Sequence, residues 1–328
     1  MTDLLREGYA VSREVAREHG KTYFLATRLL PPERRPAVHA LYAYARMVDD
    51  IIDVDMIAER DDAAAVADDE ALLDRIDQRF RAGLADGPAA VAPAPGEPVT
   101  DHDRILAAAV DTARRYDISA EYFTAFMTSM RMDVPSSSIY TDRYATLDDL
   151  RVYMWGSAAV IGLQMLPILG TVGPVEDAAP AAAALGEAFQ LTNFVRDAGE
   201  DLARDRIYLP GDVLAAYGVD EDLLHWCRRT DRVDPRVARA LADVIATCRA
   251  LYRTAEPGIE LLSPRARPGI RVAFALYRDI LGVVERDGYR SLSRRSTVGK
   301  GRRGGVAARG AGGGAAAGRR VRVGGGRP

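Results

Sequence analysis

The stretch PAVHALYAYARMVDDIIDV, residues 36–54, decides the fold class. Val38, Leu41, Ala43, Met47, Val48, Ile51 and Ile52 leave little polar surface on this segment beyond His39, Arg46 and three aspartates. A helix apolar nearly all round belongs inside a protein. Asp49 and Asp53 stand four apart and share one face, with Asp50 one step around. Ionised carboxylates in such a helix need partners or metal, because burying an isolated charge is costly. A second stretch, QLTNFVRDAGED at 190–201, repeats the pattern: Gln190, Asn193, Asp197 and Asp201 fall on one stripe, with Phe189, Leu191, Phe194 and Val195 as apolar context. Arg196, Glu200, Arg204 and Arg206 are expected on other faces or just beyond. The chain carries its own control in Glu70 and Asp74, which have the same spacing but sit among Asp68, Asp69, Arg75, Asp77, Arg79 and Arg81 and read as a solvated amphipathic face.

Outward from these two segments, helical periodicity recurs near 4–18, 22–30, 68–85, 101–115, 119–132, 147–170, 178–204, 235–254 and 266–287, with no period-2 segment and no Asn-Gly hairpin. The prediction is all-α. Pro36 suits a first helical turn, where its missing N–H would be unpaired anyway. Thr146 with Asp149 resembles a capping box. Residues 86–98, rich in Ala, Pro and Gly, read as a flexible loop inserted within one helical domain spanning 1–298.

The chain has 328 residues and a net charge of -3, but the segment from Lys300 on carries basic and no acidic residues, so the body before it is strongly acidic and a poor nucleic-acid binder. Residues 299–328 are Gly, Ala, Arg and Val without period and are expected to be disordered. The tail reads either as functionless or as a tether to an anionic membrane, worth about 1 kcal/mol per basic residue. The two cysteines, Cys227 and Cys248, lack metal-ligand spacing, and no signal-peptide pattern opens the chain, so a reduced, cytoplasmic setting is expected. The longest apolar run, 158–172, is short for a bilayer span and contains Pro167. His19, His39, His102 and His225 form no triad or metal spacing.

Two such carboxylate stripes fit one chemistry well. Diphosphate cannot be held by carboxylates directly, since two like unit charges at about 4 Å repel by roughly 4 kcal/mol at an effective dielectric of 20. Intervening Mg²⁺ takes oxygen ligands from carboxylates while keeping phosphate oxygens and water, and stabilises charge on a leaving group.

At these residues the chain resembles the squalene and phytoene synthase family. The matching strings are HGKTYFLATRLLPPERRPAVHALYAYARMVDDIID at 19–53, YATLDDLRVYMWGSAAVIGLQMLPILGT at 144–171, LGEAFQLTNFVRDAGEDLARDRIYLP at 185–210 and a weaker YRSLSRR at 289–295, within a similarity covering roughly 15–298. The resemblance implies an isoprenoid synthase fold with both acidic motifs facing one another across the mouth of a central cavity. It implies that Asp49, Asp50, Asp53, Asn193, Asp197 and Asp201 hold about three Mg²⁺, with Mn²⁺ as a substitute, and that Lys21, Arg46 and Arg294 contact diphosphate. Tyr23, Tyr42, Tyr153, Gln190 and Tyr277 match cavity positions, and Ser157 and Gly162 lie where the family lines its hydrocarbon tunnel. For Tyr42, Tyr153 and Tyr277 an ordinary core role stays open, as do an exposed helix start for Lys21, simple pairing with Asp49 or Asp50 for Arg46, and close helix packing for the small residues. Asp49, Asp53, Asp197, Asp201, Arg46 and Tyr153 are the implied catalytic set.

The implied activity is Mg²⁺-dependent head-to-head condensation of two geranylgeranyl diphosphates to 15-cis-phytoene through prephytoene diphosphate. It needs no NADPH and involves no nucleic acid. Implied partners are the prenyl diphosphates, the inner membrane face as a peripheral contact and a carotenoid desaturase that receives the product. Alternatives are dehydrosqualene or presqualene diphosphate formation from farnesyl diphosphate, a non-catalytic assembly role, and a chain-elongation or cyclase activity. The carboxyl end departs from the family pattern after YRSLSRRSTVGKGRR.

Overall fold

The structure, a computed structural model, describes residues 3–57, 63–295 and 299. Among them there are helices, turns and two isolated bridges, and no strand. The first half comprises α1 (Asp3–His19), α2 (Lys21–Thr27), α3 (Arg35–Ile57), α4 (Ala63–Asp86), α5 (Asp101–Arg115) and α6 (Ala120–Arg131). The second comprises α7 (Leu147–Met154), α8 (Val160–Leu169), α9 (Val175–Ala203), α10 (Gly211–Ala216), α11 (Glu221–Thr230), α12 (Pro235–Ala255) and α13 (Arg267–Arg286). The 299–328 tail lies outside the described residues, Gly299 excepted.

The long helix α9 is the hub. It packs against α12, α8 and α13, burying Ala188, Leu191, Thr192, Val195 and Leu202 among others. One apolar core gathers Val38 and Val48 of α3 with Leu73, Leu106 and Met127; a second gathers Leu191 and Val195 of α9 with Leu241, Ile245 and Leu281. Each fully buried leucine in these layers contributes about 2 kcal/mol relative to exposure. Helix starts are set locally: Thr100 with Asp103 and Thr146 with Asp149 form reciprocal capping boxes at α5 and α7, and Pro36 stands in the first turn of α3.

The expected single helix over 147–170 is instead α7, a π-helical segment at Trp155–Ala159 and α8. Close packing explains the interruption. Gly156 lies so near α6 that a Cβ there would sit 2.0 Å from the Ala125 carbonyl oxygen, and Ser129 donates to the Tyr153 carbonyl at 2.8 Å. The continuous run Leu147–Leu169 has 23 residues and is long and apolar enough to cross a membrane, which corrects the shorter run expected at 158–172; 61% of its most apolar window is buried inside the fold. α10 and α11 had no counterpart in the sequence expectations. The 86–98 segment is more ordered than a plain loop, since a 3-10 turn at Pro88–Val91 buries Val91 fully. The Glu70/Asp74 face is also less solvated than expected: Asp77 is buried and paired with Arg81 and Arg131, and Arg131 also reaches Asp74.

Candidate active site

The two acidic stretches meet. Arg46, Asp49 and Ile52, one face of α3, and Gln190, Asn193, Asp197 and Asp201, one stripe of α9, line a common polar cavity of about 450 Å³. More of its wall comes from Asp133 after α6, Tyr153 of α7, Phe194 of α9, Arg204, Arg206 and Tyr208 after α9, and Arg295. Arg196 and Glu200 also line it. The expectation that Arg196, Glu200, Arg204 and Arg206 fall away from the site is therefore corrected: an i to i+3 and i+4 stripe covers only part of the arc that a cavity this wide exposes on one helix.

These arginines balance the carboxylates. Arg196 donates to both oxygens of Asp197, at 2.7 and 2.5 Å, and Arg295 adds a contact at 2.9 Å. Arg295 also lies 3.4 Å from Glu200. It is Arg295 that reaches the acidic stripe, whereas Arg294 lines an adjoining pocket of about 540 Å³ together with Arg228, Ser291 and Ser293. The chain turns this way because the segment before it lies on α9: a Cβ at Gly199 would stand 2.1 Å from the Leu292 carbonyl oxygen. Asp50 does not line the cavity; it is 42% exposed at its side chain and is held by Arg46 one turn earlier. The side chains of Lys21 and Asp53 lie outside the described residues.

Burial, and then the neighbouring Asp197, pushes the carboxyl of Asp201 up to about 8. Asn193 Oδ1 is buried with no hydrogen-bond partner among the described residues, while its Nδ2 reaches Gln190 at 3.4 Å. Among the described residues no three potential ligands converge on one point. By donor chemistry the wall nevertheless fits a hard divalent cation: the available groups are carboxylate and amide oxygens, one of them orphaned and one carboxylate lacking enough positive charge nearby to ionise easily.

Beside the polar cavity lies an apolar one of about 220 Å³, lined by Tyr23, Ser157, Ile161, Gly162, Met165 and Phe189 among others. Gln190 lines both, so the two cavities adjoin at that side chain. Tyr42 and Tyr277 line neither; Tyr42 stacks on Tyr23 at 5.0 Å and Tyr277 on Phe189 at 4.3 Å, which makes them supports of the wall.

Asp133, Tyr208 and Arg295 were not singled out from the sequence. Tyr208 stands in the IYLP string and Asp133 in a connection without helical period, and neither position carries a spacing signal.

Comparisons place this geometry. The family model for squalene/phytoene synthase matches residues 16–302. The chain is 33% identical over 302 residues to the chloroplastic phytoene synthase of Narcissus pseudonarcissus, with 90% of this chain aligned, and it spans 64% of that relative's length. It is 32% identical to the phytoene synthase of Arthrospira platensis, covering 89% of this chain and 88% of the relative. Among solved structures, a dehydrosqualene synthase in complex with ligand shares the fold at TM-score 0.75 and 23% identity, covering 94% of this chain and 96% of that one. Squalene synthase HpnC from Alicyclobacillus acidocaldarius does so at TM-score 0.68 and 26% identity, covering 88% and 97%. A helical bundle with the isoprenoid synthase fold, two facing acidic stretches and a family match over most of its length together establish that the chain belongs to the squalene/phytoene synthase family.

Proposed function

We propose that this chain is an Mg²⁺-dependent prenyltransferase that joins two geranylgeranyl diphosphates head to head to give phytoene, releasing two diphosphates. The observation that carries the reading is the meeting of Asp49 with Asn193, Asp197 and Asp201 across a polar cavity that adjoins an apolar one at Gln190. The names of relatives about one-third identical over nearly the whole chain support phytoene as product.

In this reading the C1–O bond of the first substrate breaks with its electron pair leaving on diphosphate. The alkene of the second substrate then attacks the allylic cation, and a proton is lost to give a cyclopropyl diphosphate. A second ionisation and rearrangement, ending in loss of a proton, give the hydrocarbon without a reductant. Mg²⁺, held by Asp49, Asn193, Asp197 and Asp201 with Asp53, would supply positive charge for diphosphate and its departure. Arg46, Arg196 and Arg295 add fixed positive charge at the same wall. Ser157, Gly162 and Gln190 line the space that takes the hydrocarbon, where excluding water protects the cation.

A second reading, condensation of two farnesyl diphosphates, is supported by the modest volume of the apolar cavity, about 220 Å³, and by the likeness to a squalene synthase. Incubating the full chain with Mg²⁺ and each prenyl diphosphate, then identifying products by mass, separates the two. A forty-carbon hydrocarbon supports the first, and a thirty-carbon product alone supports the second.

A further inference from the structure

Beneath the acidic stripe the polar cavity is closed by a buried group of four side chains. Asp133 is buried, and its carboxylate is shared. Tyr153 donates its hydroxyl to Oδ2 at 2.7 Å, and Tyr208 donates its own to Oδ1 at 2.8 Å. Arg206 Nη1 lies 3.2 Å from Oδ1 and also donates to the Tyr208 oxygen at 3.2 Å, while Nη2 donates to the Asp133 carbonyl. All four residues line the same cavity as Asp197 and Asp201. The rings form a continuous aromatic wall, with Tyr208 stacked on Phe194 at 4.3 Å and 5.4 Å from Tyr153.

The direction of these hydrogen bonds decides what the phenols can do. A phenol has one proton and two lone pairs. Both protons are committed to Asp133, so neither hydroxyl has one left to donate to a diphosphate oxygen, and what each can offer is an acceptor oxygen. An acceptor oxygen suits a carbocation or a departing proton. The neighbouring guanidinium faces the shared carboxylate, whose two oxygens each accept from one phenol. A buried ion pair alone adds little stability, so packing gives no strong reason for this arrangement.

We propose that Asp133 is a positioning residue that holds Tyr153 and Tyr208 as acceptor-only oxygens beside the cationic stage of the reaction. The proposal rests on the condensation reading above.

The test is the full chain with Asp133→Asn, assayed with each prenyl diphosphate and Mg²⁺. Asparagine keeps the shape but offers a single acceptor oxygen, so one phenol is released and Arg206 loses its counter-charge. Expected are a fall in kcat of about 100-fold, a KM within about threefold of wild type, and a rise in water-quenched alcohols among the products. Adding Asp133→Asn to the Tyr153→Phe/Tyr208→Phe double variant is expected to cost little more, because the carboxylate acts through those rings. Should Asp133→Asn fail to fold, Tyr153→Phe and Tyr208→Phe each remove one donor and leave the ion pair. Loss of kcat at unchanged melting temperature is then the supporting result, and unchanged kcat in both overturns the proposal. An active wild type with an equally active Asp133→Asn, or losses that simply add to those of the tyrosine variants, overturns this proposal alone. A wild type that condenses no prenyl diphosphate overturns the functional reading and the proposal with it.

Discussion

At Asp197 one carboxylate serves two arginines, at distances of 2.5 to 2.9 Å, while lining the cavity opposite Asp49. Replacing it with asparagine keeps the volume and removes the charge that both a cation and the guanidinium groups need. Asp197→Asn is expected to fold and to lose about 100-fold or more in turnover, with a raised Mg²⁺ requirement, as read by steady-state assays across a metal titration. His39 gives a prediction independent of catalysis. It is buried against Phe24 and meets Thr27 Oγ1 at 3.1 Å, and burial, with Arg13 and Arg35 nearby, lowers its pKa from 6.5 to about 4. The fold favours the neutral ring, so the unfolded chain binds the extra proton and stability falls as pH drops from 6.5 towards 4. His39→Gln is expected to reduce that acid-dependent loss by on the order of 2–3 kcal/mol, measured by urea unfolding at pH 7 and pH 4. An unchanged pH slope would contradict it. Single residues were legible in the sequence where a spacing marked them, as with Asn193, Asp197 and Asp201. Asp133 and Tyr208 were not, because they reach the site through tertiary contacts from connections.

On the scale of elements, the π-helical segment is the informative departure. The sequence reads as one apolar helix, and period alone could not show that its middle is pressed against α6. The Gly156 contact with Ala125 predicts that Gly156→Ala costs about 1–3 kcal/mol, read as a lower melting temperature. An unshifted melting temperature would mean that the helices separate freely there. The same segment carries Ser157 into the apolar cavity, which is also lined by Ala178, Ala181 and Ala182 of α9. Filling that space from α9 tests the element's role in choosing a substrate. Ala182→Leu is expected to shift the ratio of kcat/KM towards the fifteen-carbon diphosphate by about tenfold, since one or two methylenes in an apolar pocket are worth about 1–3 kcal/mol. A variant with unchanged chain-length preference would place the tail elsewhere. Long elements such as α3, α5, α9, α12 and α13 were legible because their apolar faces repeat over several turns. α10, with 6 residues, and α11, with 10, have too few turns for a period to stand out.

Over the whole molecule, α3 belongs to one apolar core and most of the buried face of α9 to the other, and the acidic stripes of those two helices line one common cavity. That arrangement explains how so many carboxylates coexist in an apolar bundle: they are gathered at one wet cavity and offset there by arginines from α9 and the chain beyond it. The all-α class followed from periodicity, and the family from the order of the motifs. The arginine lining was hidden, because on a helix the same spacing serves a solvated face and a cavity wall. The most direct test of the central claim uses the purified full chain with geranylgeranyl diphosphate, with and without Mg²⁺, followed by mass analysis of the extracted products and assay of released diphosphate. The account predicts phytoene and two diphosphates per product formed, only when the metal is present. Phytoene at an undiminished rate with the metal chelated away, or no condensation product from any prenyl diphosphate, would contradict it.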